Sequence, residues 1–166
     1  MRGHFVSATP KAPVWTGYFN KSGSPVLKVV VRGPFGQGVE FEGILDTGFT
    51  GFISMPLLRA LPLGLILYGT TSVELADGSK SVKLTARGIA VVEGESEVGV
   101  VILEPNSSDV LIGMAFLRLF KRAVFLSQNL VFLVDESDTP DSAEHPPEPI
   151  EIDEPDSAPE SEPHLP

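Results

Sequence analysis

The sequence predicts an all-β protein, a small closed or semi-closed barrel with one or two short helices. Between residues 26 and 134 the chain is a series of short segments rich in β-branched and alternating apolar residues, separated by turns that contain glycine or proline. Regularly spaced short strands of this kind are typical of barrels and sandwiches. Only residues 55–61 and 113–120 favour helix.

Composition and charge divide the 166 residues into three parts. Residues 1–25 are rich in Pro, Gly, Ser and Thr and predict an irregular N-terminal arm, although three aromatic residues between positions 15 and 19 indicate that part of it packs on the domain or on a partner chain. Residues 26–134 form the predicted domain. Residues 135–166 hold 12 acidic residues, 8 of the 15 prolines and no Lys or Arg, so we expect a disordered acidic tail that is dispensable for folding.

The domain opens with a predicted hairpin. Residues 26–31 are mostly β-branched, residues 39–44 alternate as a half-buried strand does, and glycines punctuate the loop 33–38 between them. The spacing of these glycines suggests a phosphate-binding loop as an alternative. No Lys-Ser/Thr pair and no helix follow, so the turn interpretation is favoured.

The later elements follow from the same criteria. Residues 51–54 predict a strand, and residues 55–61 predict a short helix with a proline in its first turn. Residues 70–75 and 80–85 flank Asp77-Gly78, a dipeptide typical of tight hairpin turns. The remaining predicted elements are a hairpin of strands 87–92 and 97–103 with the exposed turn 93–96, a buried strand 110–112, the helix 113–120, and a closing hairpin of strands 123–126 and 130–134.

The segment Asp46-Thr47-Gly48, at the end of an apolar run, is the strongest functional signal. A carboxylate in such a place is costly unless it is hydrogen-bonded or used in chemistry. The threonine hydroxyl and the tight glycine loop supply the groups that would hold one catalytic carboxylate in a fixed orientation. The alternative is an ordinary Asx-turn, in which Asp46 only bonds nearby backbone N–H groups.

Two further elements follow in the chain, Ala76-Asp77-Gly78-Ser79 and then Leu111-Ile112-Gly113. In this order the three elements resemble the retropepsin-like aspartic proteases of the small single-domain type, over roughly residues 26–134. The resemblance implies a small closed β-barrel of the retropepsin-like acid protease type.

The resemblance also implies roles for the residues of each element. Asp46 would be the acid/base, Thr47 would brace the loops across a dimer, and Gly48 would let the backbone approach substrate. Residues Ala76, Asp77, Gly78 and Ser79 would form the tip of a flap, for which a plain solvated hairpin is the alternative. Leu111, Ile112 and Gly113 would pack behind the catalytic loop as structural support. The chain departs from the family at Phe49-Thr50, where viral members usually carry small residues, so the adjoining pocket is expected to be narrower or differently shaped.

The chemistry of this family needs two carboxylates that share one proton. The sequence supplies one Asp-Thr-Gly, since Asp77-Gly78-Ser79 has the wrong order and Asp109 lacks the loop. We therefore predict a homodimeric aspartic endopeptidase with one Asp46 from each chain at a two-fold axis, acting on peptide or protein substrates. A catalytically weak module of the same fold, used for dimerisation or peptide binding, is the alternative.

Other functional classes lack their residues. Without cysteine there is neither a disulfide nor a thiol nucleophile, and three histidines at the chain ends (His4, His145 and His164) predict no metal site. No Gly-x-Ser-x-Gly occurs, bases are scattered and the tail is acidic, so neither a serine hydrolase nor nucleic-acid binding is expected. No cofactor is predicted. The N-terminus lacks a secretory pattern and the apolar runs 61–68 and 110–120 are interrupted, so we expect no membrane association and a cytoplasmic location.

Overall fold

The structure is a computed structural model that describes residues 14–74, 78 and 80–138. Within these ranges the chain forms ten strands and two short α-helices. In chain order they are β1 (Trp15–Phe19), β2 (Pro25–Arg32), β3 (Val39–Leu45), β4 (Ile53–Pro56), α1 (Leu57–Ala60), β5 (Ile66–Glu74), β6 (Lys80–Val92), β7 (Glu95–Glu104), β8 (Val110–Ile112), α2 (Met114–Leu119), β9 (Arg122–Leu126) and β10 (Leu130–Asp135). One-turn 3₁₀ helices occupy Leu61–Leu63 and Glu136–Asp138.

Six of the strands close into a barrel. Their order is β6-β7-β4-β8-β3-β2, and β2 returns to pair with β6 through Val30–Val91, Val31–Ala90 and Arg32–Ile89. Closure leaves these strands without free edges, which is how β proteins avoid unpaired backbone groups. The predicted all-β closed barrel with short helices is therefore confirmed.

The other four strands extend the barrel on two sides. Strand β5 pairs with β6, while β1, β10 and β9 continue from β2 in that order. Strand β9 pairs with β10 alone among the described residues and forms an edge of the sheet. No helix in the described part of the chain is long and apolar enough to cross a membrane.

The core fills the barrel and the space under β1 and α2. Four aromatic rings pack together in this core: Trp15 lies edge-on to Phe120 with ring centroids 5.0 Å apart, and the Phe116 centroid lies 4.6 Å from that of Phe120 and 5.4 Å from that of Phe52. Trp15 and Phe116 are almost completely buried. Such edge-on and tilted pairs add to the stabilisation that comes from burying the rings. This cluster ties strand β1 to helix α2.

The strands differ from the prediction in four places. Residues 15–19 form a strand rather than part of an irregular arm, because Trp15 is buried and the segment pairs with β10 and β2. The separate strands predicted at 80–85 and 87–92 are one continuous strand, β6, which pairs with β5, β7 and β2 in turn. Strand β5 begins four residues earlier than predicted, at Ile66. The turn between β6 and β7 is only Glu93-Gly94, both with positive φ (47° and 86°), a geometry that matches the twist of a two-residue hairpin.

The helices start later than expected, and residues 135–138 of the predicted tail form regular structure. Positions 55 and 56 finish β4, so α1 begins at Leu57. Asp135 is the last residue of β10, and the 3₁₀ turn Glu136–Asp138 follows it. The rest of the predicted tail, residues 139–166, and the first 13 residues of the predicted arm lie outside the described residues.

Candidate active site

Asp46 follows the last residue of β3 and heads a tight turn. Its Oδ1 accepts a hydrogen bond from the Gly48 N–H at 2.9 Å, and its carbonyl oxygen accepts one from the Phe49 N–H at 3.1 Å. The side chain of Asp46 is half-buried, whereas Thr47 and Gly48 are exposed. The carboxylate is thus oriented by the backbone of its own turn, as an Asx-turn would do, and it remains accessible from outside.

Strand β8 and helix α2 anchor this turn from behind. Strand β3 pairs in parallel with β8, and the Asp46 N–H continues the ladder by donating to the Ile112 carbonyl at 2.9 Å. Beyond the turn, the Met114 N–H donates to the Phe49 carbonyl at 2.8 Å. Leu111 pairs with Ile44 inside the ladder, and Ile112 is fully buried. The Leu-Ile-Gly element therefore lies against the Asp-Thr-Gly loop.

Gly113 lies where the loop and α2 come closest. A Cβ placed on Gly113 would be 2.4 Å from the carbonyl oxygens of both Phe49 and Gly51. Its own N–H donates to the Phe52 carbonyl at 3.1 Å. Only a residue without a side chain allows the backbone segments to come this close, so steric crowding explains why position 113 is a glycine.

The ring of Phe49 covers two glycines of the site. A Cβ on Gly51 would be 2.4 Å from the Phe49 Cζ, and a Cβ on Gly113 would be 2.6 Å from its Cδ1. Sequence reasoning noted the large residue at position 49 but did not place its ring. The glycines at positions 51 and 113 could have indicated where the Phe49 ring lies, because each glycine leaves open the space that the ring occupies.

A cleft of about 750 Å³ opens beside the Asp46 turn. Its walls come from the loop after Asp46, from β5, from β7 and from α2. The lining residues are Gly48, Phe49, Thr50, Gly51, Phe52, Thr71, Ser72, Val98, Gly99, Val100, Ile102, Ala115 and Leu119. The volume is that of a site for a sizeable ligand, and the walls are mainly apolar. The contributions of β5 and β7 were missed, because their side chains are spaced along two long strands and form no local motif.

The predicted flap tip lies largely outside the described residues. Ala76, Asp77 and Ser79 are not described, while Gly78 has a φ of +79° and no heavy atom within 4 Å of the position that a Cβ would take. The strands on either side, β5 and β6, pair in antiparallel register up to Glu74 and Lys80. Thr71 and Ser72 of β5 line the cleft, so the half of this hairpin next to the tip borders it.

A second, smaller cavity of about 330 Å³ lies on the Thr47 side of the loop. It is bounded by α2, β9 and the 3₁₀ turn after β10, and we call it the Thr47 cavity. The lining residues are Thr47, Met114, Leu117, Arg118, Arg122, Ala123, Val124 and Glu136. The exposed loop residue Thr47 and the edge strand β9 thus share one face of the molecule.

Two charged side chains near the Thr47 cavity, Arg122 and Asp135, have partners within the fold. The Arg122 guanidinium is buried, pairs with Glu95 and lies 4.3 Å from the Trp15 ring centre. Hydrogen bonds from the Ser137 hydroxyl and the Ser137 N–H, assisted by Arg122 and Lys121, hold the pKa of Asp135 below its ordinary value. No group of three or more metal-ligating side chains comes together in ranges 14–74 and 80–138.

Comparisons with known proteins identify the fold. No protein-family model matches the chain, and no curated protein matches it. Among solved structures, a retropepsin-like aspartic protease from Rickettsia conorii matches with a TM-score of 0.55 and 18% identity, over 77% of this chain and 96% of that one. The EIAV protease complexed with the inhibitor HBY-793 matches with a TM-score of 0.52 and 14% identity, over 65% and 98%. The resemblance inferred from the three sequence elements is confirmed at the level of architecture: the chain has a retropepsin-like fold.

Proposed function

We propose that the chain is a homodimeric retropepsin-like aspartic endopeptidase. It hydrolyses peptide bonds with a water molecule activated between two Asp46 carboxylates, one from each chain. The observation that carries the proposal is the position of Asp46, on a turn held by Gly48 and Ile112 at the side of a 750 Å³ cleft. Both solved structures named above are of aspartic proteases.

The reaction needs one ionised and one protonated carboxyl group. The ionised Asp46 takes a proton from the water molecule while the water oxygen attacks the peptide carbonyl carbon. The protonated Asp46 of the other chain donates its proton to the carbonyl oxygen. Collapse of the tetrahedral intermediate breaks the C–N bond, with a proton passing to the leaving amine. Two carboxylates a few ångström apart repel each other when both are ionised, so the proposed pair shares one proton.

The proposed dimer joins the Thr47 sides of two chains. A single chain holds one Asp-Thr-Gly, and the chemistry needs two. Thr47 is exposed, and β9, which has one strand neighbour in the described part, lies beside the same cavity. An exposed loop next to a free strand edge suits an isologous contact, in which Thr47 would brace the opposite loop.

The substrate would lie in the cleft as an extended peptide. In this proposal the β5–β6 hairpin is the flap, and its tip at Ala76, Asp77, Gly78 and Ser79 closes over the peptide and excludes water. Leu111, Ile112 and Gly113 keep the catalytic loop in place. The proposed partners are a second copy and a peptide or protein substrate, and the proposed location is the cytoplasm.

The test is cleavage of a denatured protein at mildly acidic pH, with and without a pepstatin-type inhibitor. Asp46→Asn keeps the shape of the side chain and removes the shared proton, so it should reduce cleavage to background. Asp109→Asn is the matched control, because Asp109 is exposed and lies outside the cleft. Activity per chain should also fall on dilution, as a dimeric site requires.

Two results would contradict the proposal. One is full cleavage by Asp46→Asn, and the other is no cleavage by the wild type at any pH on any unfolded substrate. The chain would then be better described as a dimerisation or peptide-binding module of the same fold.

A further inference from the structure

The Thr47 cavity has apolar walls, a cationic rim formed by Arg118 and the neighbouring Lys121, and one acidic lining residue, Glu136. Met114, Leu117 and Val124 contribute apolar surface between α2 and β9. Arg118 lines the cavity, and Lys121 follows three residues later, where its N–H donates to the Arg118 carbonyl at 3.2 Å. Both long cationic side chains are exposed. This combination suits a ligand that has apolar side chains flanked by negative charge.

The described part of the chain ends beside this cavity. The Glu136 N–H donates to the Lys121 carbonyl at 2.9 Å, and Glu136 itself lines the cavity. The 3₁₀ turn that starts there finishes at Asp138. The next 28 residues, 139–166, carry nine acidic residues and no Lys or Arg. A strongly negative segment therefore starts within a few residues of the cationic rim.

One short part of that segment matches the cavity. Ile150, Ile152 and Leu165 are its only large apolar residues. In an extended conformation Ile150 and Ile152 project to one side, and Glu151 and Asp153 project to the other. Ile150 comes twelve positions after Asp138, and a stretch of that length can span up to about 40 Å, more than enough to turn back onto the domain. A segment that is disordered alone can still become ordered when it binds.

We propose that residues 150–153 of the chain bind in the Thr47 cavity of the same chain. The two isoleucines occupy the apolar part between α2 and β9, and the neighbouring carboxylates face Arg118 and Lys121. Because Thr47 lines this cavity, the bound segment also covers the face through which the proposed function joins two chains. That consequence rests on the proposed function; the binding itself does not.

The experiment uses the full chain and the absence of cysteine from its sequence. Ser157→Cys introduces one thiol for a nitroxide spin label, four residues beyond the proposed segment. We expect the amide signals of Thr47, Leu117 and Val124 to be broadened selectively. Adding Ile150→Ser and Ile152→Ser should abolish this broadening. Adding Arg118→Ser and Lys121→Ser, or raising the salt to about 1 M, where the Debye length is about 3 Å, should weaken it several-fold.

Matched controls separate the proposal from its alternatives. Lys28→Ser with Lys80→Ser removes the same charge from β2 and β6 and should leave the broadening unchanged. Broadening that is uniform over the surface, confined to residues next to Asp138, or insensitive to the Arg118 and Lys121 changes would overturn the proposal. A mixed sample tests whether the segment comes from a second copy: the nitroxide is placed only on chains without ¹⁵N, and the signals of ¹⁵N-labelled chains are observed. Broadening in this sample equal to that in the singly labelled chain would also overturn the proposal.

Sedimentation of the same variants distinguishes this proposal from the proposed function. If the segment binds and the Ile150→Ser, Ile152→Ser variant forms more dimer than the wild type, both the segment binding and the homodimeric protease are supported. If the segment binds but no variant dimerises at any concentration, the binding stands and the homodimeric protease fails.

Discussion

Replacing Gly113 by alanine should displace the Asp46 loop and destabilise the fold. The backbone of Gly113 has φ −108° and ψ −173°, which alanine adopts without strain, so the cost is steric alone. The new Cβ would lie 2.4 Å from two carbonyl oxygens, where ordinary contact begins at 3.4 Å, so the loop and α2 must separate by about 1 Å. Overpacking of this kind costs about 1–3 kcal/mol of unfolding free energy.

Urea denaturation at one fixed protein concentration measures this cost, and amide shifts of Phe49 and Gly51 report the displacement. If the chain is a protease, a shift of about 1 Å at the catalytic loop should also lower kcat/KM by about 100-fold. Gly94→Ala is the control, since Gly94 has a φ of +86° with open space around it and lies in the β6–β7 turn. It should cost about 1–2 kcal/mol without moving the loop amides. An unchanged urea midpoint and unshifted amides in Gly113→Ala would refute the steric argument.

Three further predictions concern charge. Asp46→Asn should strengthen the proposed dimer, because two carboxylates at the axis repel each other and two amides do not; sedimentation of both proteins under one set of conditions should give the variant the lower dimer dissociation constant. Glu95→Gln should lower the unfolding free energy by about 1.5–3 kcal/mol in urea, because Glu95 pairs with the buried Arg122 guanidinium, while Glu40→Gln, from an exposed pair with Lys28, should change it by less than about 1 kcal/mol. Ser137→Ala should raise the pKa of Asp135 towards its ordinary value in an NMR titration. A lowered carboxyl pKa stabilises the folded state at pH values above the ordinary pKa, and this stabilisation is lost as pH falls. The variant should therefore be less stable than the wild type at neutral pH and equally stable in acid.

The sequence predicted the barrel because most strands carry their own local signal. Strands β2, β3 and β8 are β-branched or alternating, and each was predicted to within one residue at either end. Strand β6 was divided in two because its alternation breaks at Thr85 and Ala86, which are both buried. At that point the strand passes from pairing with β5 towards pairing with β2, a change that depends on the tertiary structure alone.

Strand β1 was missed for a different physical reason. Its segment is short and lies among proline, glycine and serine. Two of its residues pair with nearby β2, but four pair with β10, more than a hundred residues away in the chain. A non-local partner leaves no local pattern. The Asp46 turn and the Gly113 contact, by contrast, lie within recognisable motifs, so the sequence predicted which residues would meet there. The cleft walls from β5 and β7 depend on how the barrel closes.

The insertion of β8 between β3 and β4 has a consequence for how the chain is made. Strands β3 and β4 are neighbours in sequence, but β8 separates them in the sheet, and the Asp46 loop that joins them is held by Ile112 and Met114. A nascent chain that has emerged only as far as Glu104 can pair β2 with β3 and β6 with β7, yet it still lacks Ile112 and Met114, which hold the Asp46 turn from behind. Contacts over such sequence separation form late in folding. The loop with the candidate catalytic carboxylate is therefore among the last parts of the domain to become ordered during synthesis.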